Sequence, residues 1–413
     1  MTDLMTRRIR RLGPNVPTFY DRPVHLVRGE GLWLWDDTGK RYLDCYNNVP
    51  HVGHCHPHVV QAIARQAATL NTHTRYLHTG ILDALDRITA TLSHGLTQGI
   101  MVCTGSEAND IALRMAQAVT GHTGIIATDN TYHGNTTATA QLSTRRPPIG
   151  GYPPHVRLVP APETGADPAA FAADVQAAIK ELQSAGYGFS GMMLCPVFAN
   201  EGLPTLAPGF LDPTVTAIRA AGGLVLCDEV QPGFGRCGQW WGHDWLGIAP
   251  DVVTLGKPMG NGHPVAATIA TEPVMRAFRT AFGYFNTFGG NPVSAAAVNA
   301  TLDVIERDDL VTHAAAMGQR ALDRMRALSH PAITEIRGNG LFFGAVLMEN
   351  GHPATDLAIR IVEEMKDRGV LIGRIGRHMN ILKMRPPLPI SADQIDLAIA
   401  TLADVLADTP SNG

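Results

Sequence analysis

LVLCDEVQ (Leu224–Gln231) and DVVTLGKPMGNGHP (Asp251–Pro264) are short apolar runs, one ended by Asp228 and the other by Lys257 before a glycine-rich turn. Runs of four to six apolar residues with no polar alternation read as strands buried on both faces. Similar runs occur at Gly124 to Thr128, Gly191 to Val197 and Ala266 to Thr271. Between and before them lie helical patterns at His58 to Leu70, Ser106 to Val119, Pro168 to Ser184 and Phe210 to Ala221. Strand alternating with helix predicts an α/β architecture with a mostly parallel, doubly covered sheet.

Outward from this core the rhythm changes. VHLVRGEGLWLWDDTGKRYLDC alternates apolar and polar positions around the turn signal Asp37-Thr38-Gly39, so it predicts strands joined by tight turns. From Pro292 one long helical pattern runs to Leu328. It is followed by the strand segment IRGNGLFFGAVL, a helix over Thr355 to Arg368, the strand NILKMRPPL and a last helix capped by Ser391. A length of 413 residues exceeds one compact domain. The expected division is an amino-terminal segment 1–50 joining a small lobe, a large lobe 51–300 and a small carboxy-terminal lobe 301–413. The tail ADTPSNG is expected to fray.

Net charge is -4 and the pI near 6.5, which excludes the basic footprint of nucleic-acid or anionic-membrane binding. No run of eighteen apolar residues occurs and no apolar stretch follows the basic start, so a cytoplasmic protein is expected. Six scattered cysteines suit reduced thiols better than a disulfide frame. His51, His54, His56 and His58 look like a metal site only superficially; with Gly53 and Pro57 interleaved they read as a helix entry, and no metal is assigned. Gly338-Asn339-Gly340 misses the dinucleotide spacing and reads as a turn.

Lysine is scarce: Lys40, Lys180, Lys257, Lys366 and Lys383 are all there are. Four of them lie in a hairpin turn, in helices beside glutamates or on a late strand, and suit solvated or snorkelling roles. Lys257 differs, because the carboxyl ends of strands in an open α/β sheet are where ligands collect. Asp228 ends another such strand. An amine and an anion in one crevice suit pyridoxal phosphate, which needs an amine for its aldehyde and a negative charge at its ring nitrogen. The phosphate has a candidate cradle in Thr104-Gly105-Ser106-Glu107-Ala108-Asn109, where a helix entry and the hydroxyls of Thr104 and Ser106 meet. The same string also reads as an ordinary helix cap.

TGSEAND, TYHG, LCDEVQPGFGR, TLGKPMGNGHP and YFNTFGGNPVSAA, in this order over nearly the whole chain, resemble the motifs of the class III aminotransferases. That resemblance implies fold type I, with a large lobe built on a mostly parallel sheet of the seven-stranded type and a smaller α/β lobe. It also implies pyridoxal 5'-phosphate in a Schiff base with Lys257, phosphate contacts from Gly105 and Ser106, the ring between Tyr132 and Val230 above Asp228, and Gln231 near the phenolic oxygen. By the same resemblance Thr287 reaches the phosphate of a partner subunit, which makes a homodimer with shared active sites the expectation.

YNNVPHVGHCHP, LNTHTRYLH, GKPMGNGHP and IRGNGLFFG resemble more narrowly the ammonia-releasing phospho-lyases that act on phosphoethanolamine-like amines. One stretch departs from the aminotransferase pattern: where that family often reads EPxQGEGG, this chain reads CPVFANEG from Cys195 to Gly202. Asn200 replaces the glutamate that gates a substrate-binding arginine, unless Glu201 substitutes, so Arg385 would be left free for an anion. Arg75 and Arg385 are the candidate substrate-binding residues. The expected reaction is amino transfer from a small amine or amino acid to a keto or aldehyde acceptor, narrowly ahead of phosphate elimination. A protein that keeps the fold without catalysis is the minor alternative.

Overall fold

Seven strands form the central sheet of the computed structural model, which describes residues 2–409. Their order is Leu96–Val102, Ala266–Thr271, Val252–Leu255, Leu224–Asp228, Gly191–Leu194, Ile125–Thr128 and Val156–Val159. Ala266–Thr271 runs antiparallel to both its neighbours; the other pairings are parallel. Every residue of Gly191–Leu194, Leu224–Asp228 and Val252–Leu255 is buried, as expected for apolar strands sandwiched between helices. The strands at Leu96 and Val156 went unread in the sequence, because LTQGIMV and VRLV mix polar residues into their runs.

The amino-terminal meander follows its sequence pattern. Leu26–Glu30, Trp33–Asp36 and Arg41–Asp44 pair antiparallel, and Val370–Leu371 adds to Arg41–Asp44 in parallel. The tight turn forms because the Asp36 carboxylate accepts from the backbone N–H groups of Thr38 (2.9 Å) and Lys40 (3.0 Å), while Gly39 takes φ +84°. Near the other end, Ile333–Asn339 and Phe342–Glu349 form a hairpin across Gly340, extended by Ile381–Met384 and Gly373–Ile375.

The pattern expected as one helix from Pro292 is two: Pro292–Arg307 and Leu310–Arg326. They part at Asp308 and Asp309, where Asp309 adopts the left-handed φ of +44°. Apolar periodicity continues across the break, which is why the sequence hides it. The last helix, Ala392–Asp408, starts at the expected cap: Ser391 and Gln394 form a reciprocal capping box. Most of the ADTPSNG tail, residues 410–413, lies outside the described residues. No described helix is long and apolar enough to cross a membrane.

Two expectations about single residues fail. Lys366 and Lys383 are buried, at 3% and 7% exposure, where solvated or snorkelling roles were expected. Lys366 pairs with Glu363 (2.7 Å), a structural contact; Lys383 has no such acid among the described residues. The clustered histidines face separate partners: His51 the Phe234 carbonyl, His54 Asp44 and His58 Asp303.

Candidate active site

Asp228 and Lys257 end adjacent strands, in a register that sets Asp228 against Thr254. Three donors hold the Asp228 carboxylate: His133 Nδ1 at 2.7 Å, Asn109 Nδ2 at 2.9 Å and the Val230 N–H at 3.0 Å. Asn109 is oriented in turn by Thr254, whose hydroxyl donates to its Oδ1 at 2.6 Å. A buried carboxylate that accepts from three donors is held in one orientation.

Lys257 begins a single 3-10 turn just past Val252–Leu255. Burial pushes its ammonium below the ordinary range; Arg385 adds to this and Asp228 opposes it. An amine with depressed basicity gives up its proton more readily and so more often presents the neutral, nucleophilic form.

The phosphate cradle takes shape at Gly105–Thr120, capped by Thr104. Here one expectation is corrected. The Thr104 hydroxyl accepts from the Glu107 N–H (3.2 Å), and Glu107 Oε2 accepts from the N–H groups of Cys103 and Thr104 (2.9 and 3.0 Å). That capping box occupies Thr104, so Gly105 and Ser106 are the first-turn residues left to face an anion. Gly134, at φ +138°, lies so close to Ser106 that an added Cβ would sit 2.5 Å from its hydroxyl oxygen and 2.8 Å from its Cα. Gly134→Ala is therefore expected to displace Ser106 and weaken retention of the cofactor at least tenfold, about 1.4 kcal/mol. Equilibrium dialysis of the reconstituted protein measures this.

Gly105, Ser106, Asn109, Tyr132, Asp228, Val230, Gln231 and Lys257 line one cavity of about 210 Å³. The fit to pyridoxal phosphate rests on this cradle. Two glycines face the Val230 side chain, and a Cβ at Gly105 or Gly256 would come within 3.0 or 3.2 Å of its methyl groups. Side chains there would push Val230 out of its place in the cavity wall.

A second cavity, of about 500 Å³, shares Tyr132, His133, Gly134 and Asn200 with the first. Among the described residues its charged lining is cationic: Arg145, Arg146, Arg374 and Lys383, with no aspartate or glutamate. Phe19, Tyr20 and Tyr46 supply aromatic walls.

The remaining predicted residues are placed differently. Arg385 is buried beside the site but lines neither cavity: its Nη1 donates to Gln231 Oε1 (2.5 Å), and its guanidinium lies 5.3 Å from the Tyr46 ring. Arg385 is thus tied to Gln231 rather than left free. Glu201 does not gate it, since that carboxylate accepts from Thr128 Oγ1 (2.7 Å) and the Asn200 N–H (3.0 Å). Arg75 is exposed, 3.8 Å over the Phe285 ring, and Thr287 is exposed two residues further along that loop. Neither lines the Lys257 cavity in a single chain.

The comparisons with known proteins agree with this geometry. The family profile Aminotransferase class-III matches residues 17–406. The chain belongs to the class-III aminotransferase family. Pyridoxal phosphate is the cofactor that this membership implies, and the sheet and its flanking layers are those of fold type I. Among relatives of this class-III enzyme, the alanine–glyoxylate aminotransferase 2-like protein of Drosophila melanogaster is 35% identical over 96% of this chain and 85% of its own length. The ethanolamine-phosphate phospho-lyase homolog 1 of Caenorhabditis elegans is also 35% identical, over 98% of this chain and 93% of its own. A phospholyase from Arthrobacter, solved in complex with phosphoethanolamine, superposes with TM-score 0.96 at 42% identity, covering 99% of this chain and 100% of that one.

Residues that went without a role in the sequence reading now stand out in the class-III enzyme. His133 and Asn109 sat inside quoted motifs, TYHG and TGSEAND, but nothing local tied either to Asp228, which lies 95 and 119 positions away. Arg145, Arg146, Arg374 and Lys383 carried no sequence signal at all, because they come from segments more than two hundred residues apart.

Proposed function

We propose that the enzyme is a phospho-lyase that releases phosphate and ammonia from small phosphorylated primary amines of the phosphoethanolamine type. The observation that carries this reading is the cationic cavity that adjoins the Lys257 cavity and, among the described residues, is lined by no acid. Such a concentration of positive charge suits a dianionic group better than a single carboxylate. The named activity of the Arthrobacter phospholyase supports the same reading.

When bound, pyridoxal phosphate supplies the electron sink for the pair left as the carbon beside nitrogen loses its proton. The chain's own groups do the rest. Lys257 holds the cofactor's aldehyde carbon and, once displaced by the substrate amine, takes that proton. Asp228, held by His133 and Asn109, keeps negative charge at the ring nitrogen. Gly105 and Ser106 would receive the cofactor's phosphate, Tyr132 and Val230 would flank its ring and Gln231 would stand near its phenolic oxygen; all of them line the Lys257 cavity. Arg385 sets Gln231, and the substrate's phosphate goes to Lys383 and the arginines.

The working unit in this proposal is a homodimer. Tyr76, Leu77, Phe285 and Phe288 form an exposed apolar surface around Arg75 and Thr287, which supports burial there against a second copy and delivery of Thr287 to its site.

Transamination is the second reading, favoured by family membership and by the Drosophila relative. One experiment separates the two. Phosphoethanolamine as sole substrate is expected to yield inorganic phosphate and ammonia in equal amounts over many turnovers. If alanine instead converts the cofactor to its pyridoxamine form and phosphoethanolamine yields no phosphate, amino transfer takes its place.

A further inference from the structure

Lys383 lines the cationic cavity in an unusual setting. It lies in Ile381–Met384, all four residues of which are buried. Its partners on the two adjacent strands are Gly344 and Gly373, so no side chain flanks it on either side. The Tyr46 ring packs against Gly373, where a Cβ would sit 2.3 Å from Tyr46 Cε2, and this ring lies 5.6 Å from Lys383 Nζ. Among the described residues no acid is paired with the amine, and the charges that press on it, those of Arg385, Arg145 and Lys257, are positive. A buried lysine without a counter-charge is costly to fold, and its pairing partner must come from outside the chain.

We infer that Lys383 is the acid that protonates the departing phosphate. This rests on the phospho-lyase reading and adds a step to it. The proton on the carbon beside nitrogen goes to Lys257, and its electron pair forms a double bond to the neighbouring carbon. As that double bond forms, the carbon–oxygen bond to the phosphate breaks, and the oxygen leaves with the two electrons of the bond that breaks. A dianionic ester would leave as a trianion, a poor leaving group, so the bridging oxygen takes a proton from Lys383 Nζ and departs as hydrogen phosphate. Lys383 is left neutral and is reprotonated by solvent; water hydrolyses the unsaturated amine to aldehyde and ammonia. Burial and the surrounding cations hold the Lys383 ammonium well below its ordinary range, which makes the proton cheaper to give up. An arriving phosphate dianion provides the missing counter-charge that charges the amine in the first place.

The test exploits the leaving group. Sulfate departs from 2-aminoethyl sulfate as a stable dianion and needs no proton, so a lost acid should slow phosphate release far more than sulfate release. K383R keeps the charge but holds its proton too tightly to donate it. K383M keeps the volume and serves if the arginine does not fit. The holoenzymes are compared by kcat at saturation, and binding of inorganic phosphate to the cofactor-free proteins is followed by calorimetry.

Either variant is expected to lose about a hundredfold or more in phosphate release and less than about tenfold in sulfate release. Only K383M should also lose affinity for inorganic phosphate. Equal losses with both substrates would show that Lys383 merely binds or packs, and phosphate release within tenfold of the parent would remove it from the reaction. A parent that eliminates sulfate but no phosphate overturns the Lys383 assignment while leaving elimination standing. If the parent eliminates neither group, the phospho-lyase reading itself fails and the assignment with it.

Discussion

Replacing Lys257 with alanine is expected to abolish the visible absorption of the lysine-bound cofactor and to cut turnover by about 10⁴-fold or more, the upper range for a general acid–base group. No nucleophilic amine would then remain at the end of Val252–Leu255, where the cavity brings Lys257 together with Asp228 and the Gly105 helix entry. A second amine does lie near: the charge of Lys257 reaches Lys383 in the adjoining cavity. The measurement must therefore locate the adduct as well as the colour. Borohydride reduction followed by peptide mapping should mark Lys257 in the parent and nothing in Lys257→Ala. A mutant that stays yellow with the label on Lys383 would sink the assignment.

Asp228→Asn is expected to leave the fold intact and to lower kcat by about 10²–10³-fold, the cost typical of losing one preorganised electrostatic partner. Charge is only part of the reason. In the parent, Asp228 Oδ2 accepts from both His133 and Asn109 while Oδ1 accepts from the Val230 N–H. An asparagine presents an amide NH₂ where one of those oxygens stood, so either His133 and Asn109 together or the Val230 N–H lose their acceptor and the group turns away. Cofactor absorbance and affinity should change much less than kcat, since the phosphate cradle and Lys257 are untouched. Turnover within a few-fold of the parent would count against Asp228 as the partner of the ring nitrogen.

The Glu201 carboxylate shows where local reading stops. CPVFANEG announces that the usual gate is missing, and it leaves open whether Glu201 takes over. Only the packed chain answers, by turning the carboxylate to Thr128 and the Asn200 N–H while Arg385 turns to Gln231. A side chain one position along a loop points elsewhere, and no spacing rule predicts its direction. The break at Asp309 is a similar case, since one left-handed residue ends a helix without disturbing the apolar period on either side.

What the sequence determined by itself is what depends on neighbours in the chain. The buried runs ending at Asp228 and Lys257, the turn at Asp36–Lys40, the caps at Thr104 and Ser391 and the helix entry at Gly105 are short-range consequences of residue type, and each stands where its pattern put it. The ordered motifs added the family and with it the cofactor. Tertiary structure decided everything that needs two distant segments to meet: the donors His133 and Asn109 on Asp228, the pairing of Arg385 with Gln231, and the meeting of Arg145, Arg374 and Lys383 around one cavity. The alternation that made Lys383 look like a half-exposed strand residue is a property of one strand. Its burial comes from the Gly344 and Gly373 strands on either side and from Tyr46 packed against Gly373, and among the described residues no acid is paired with the lysine closed in there.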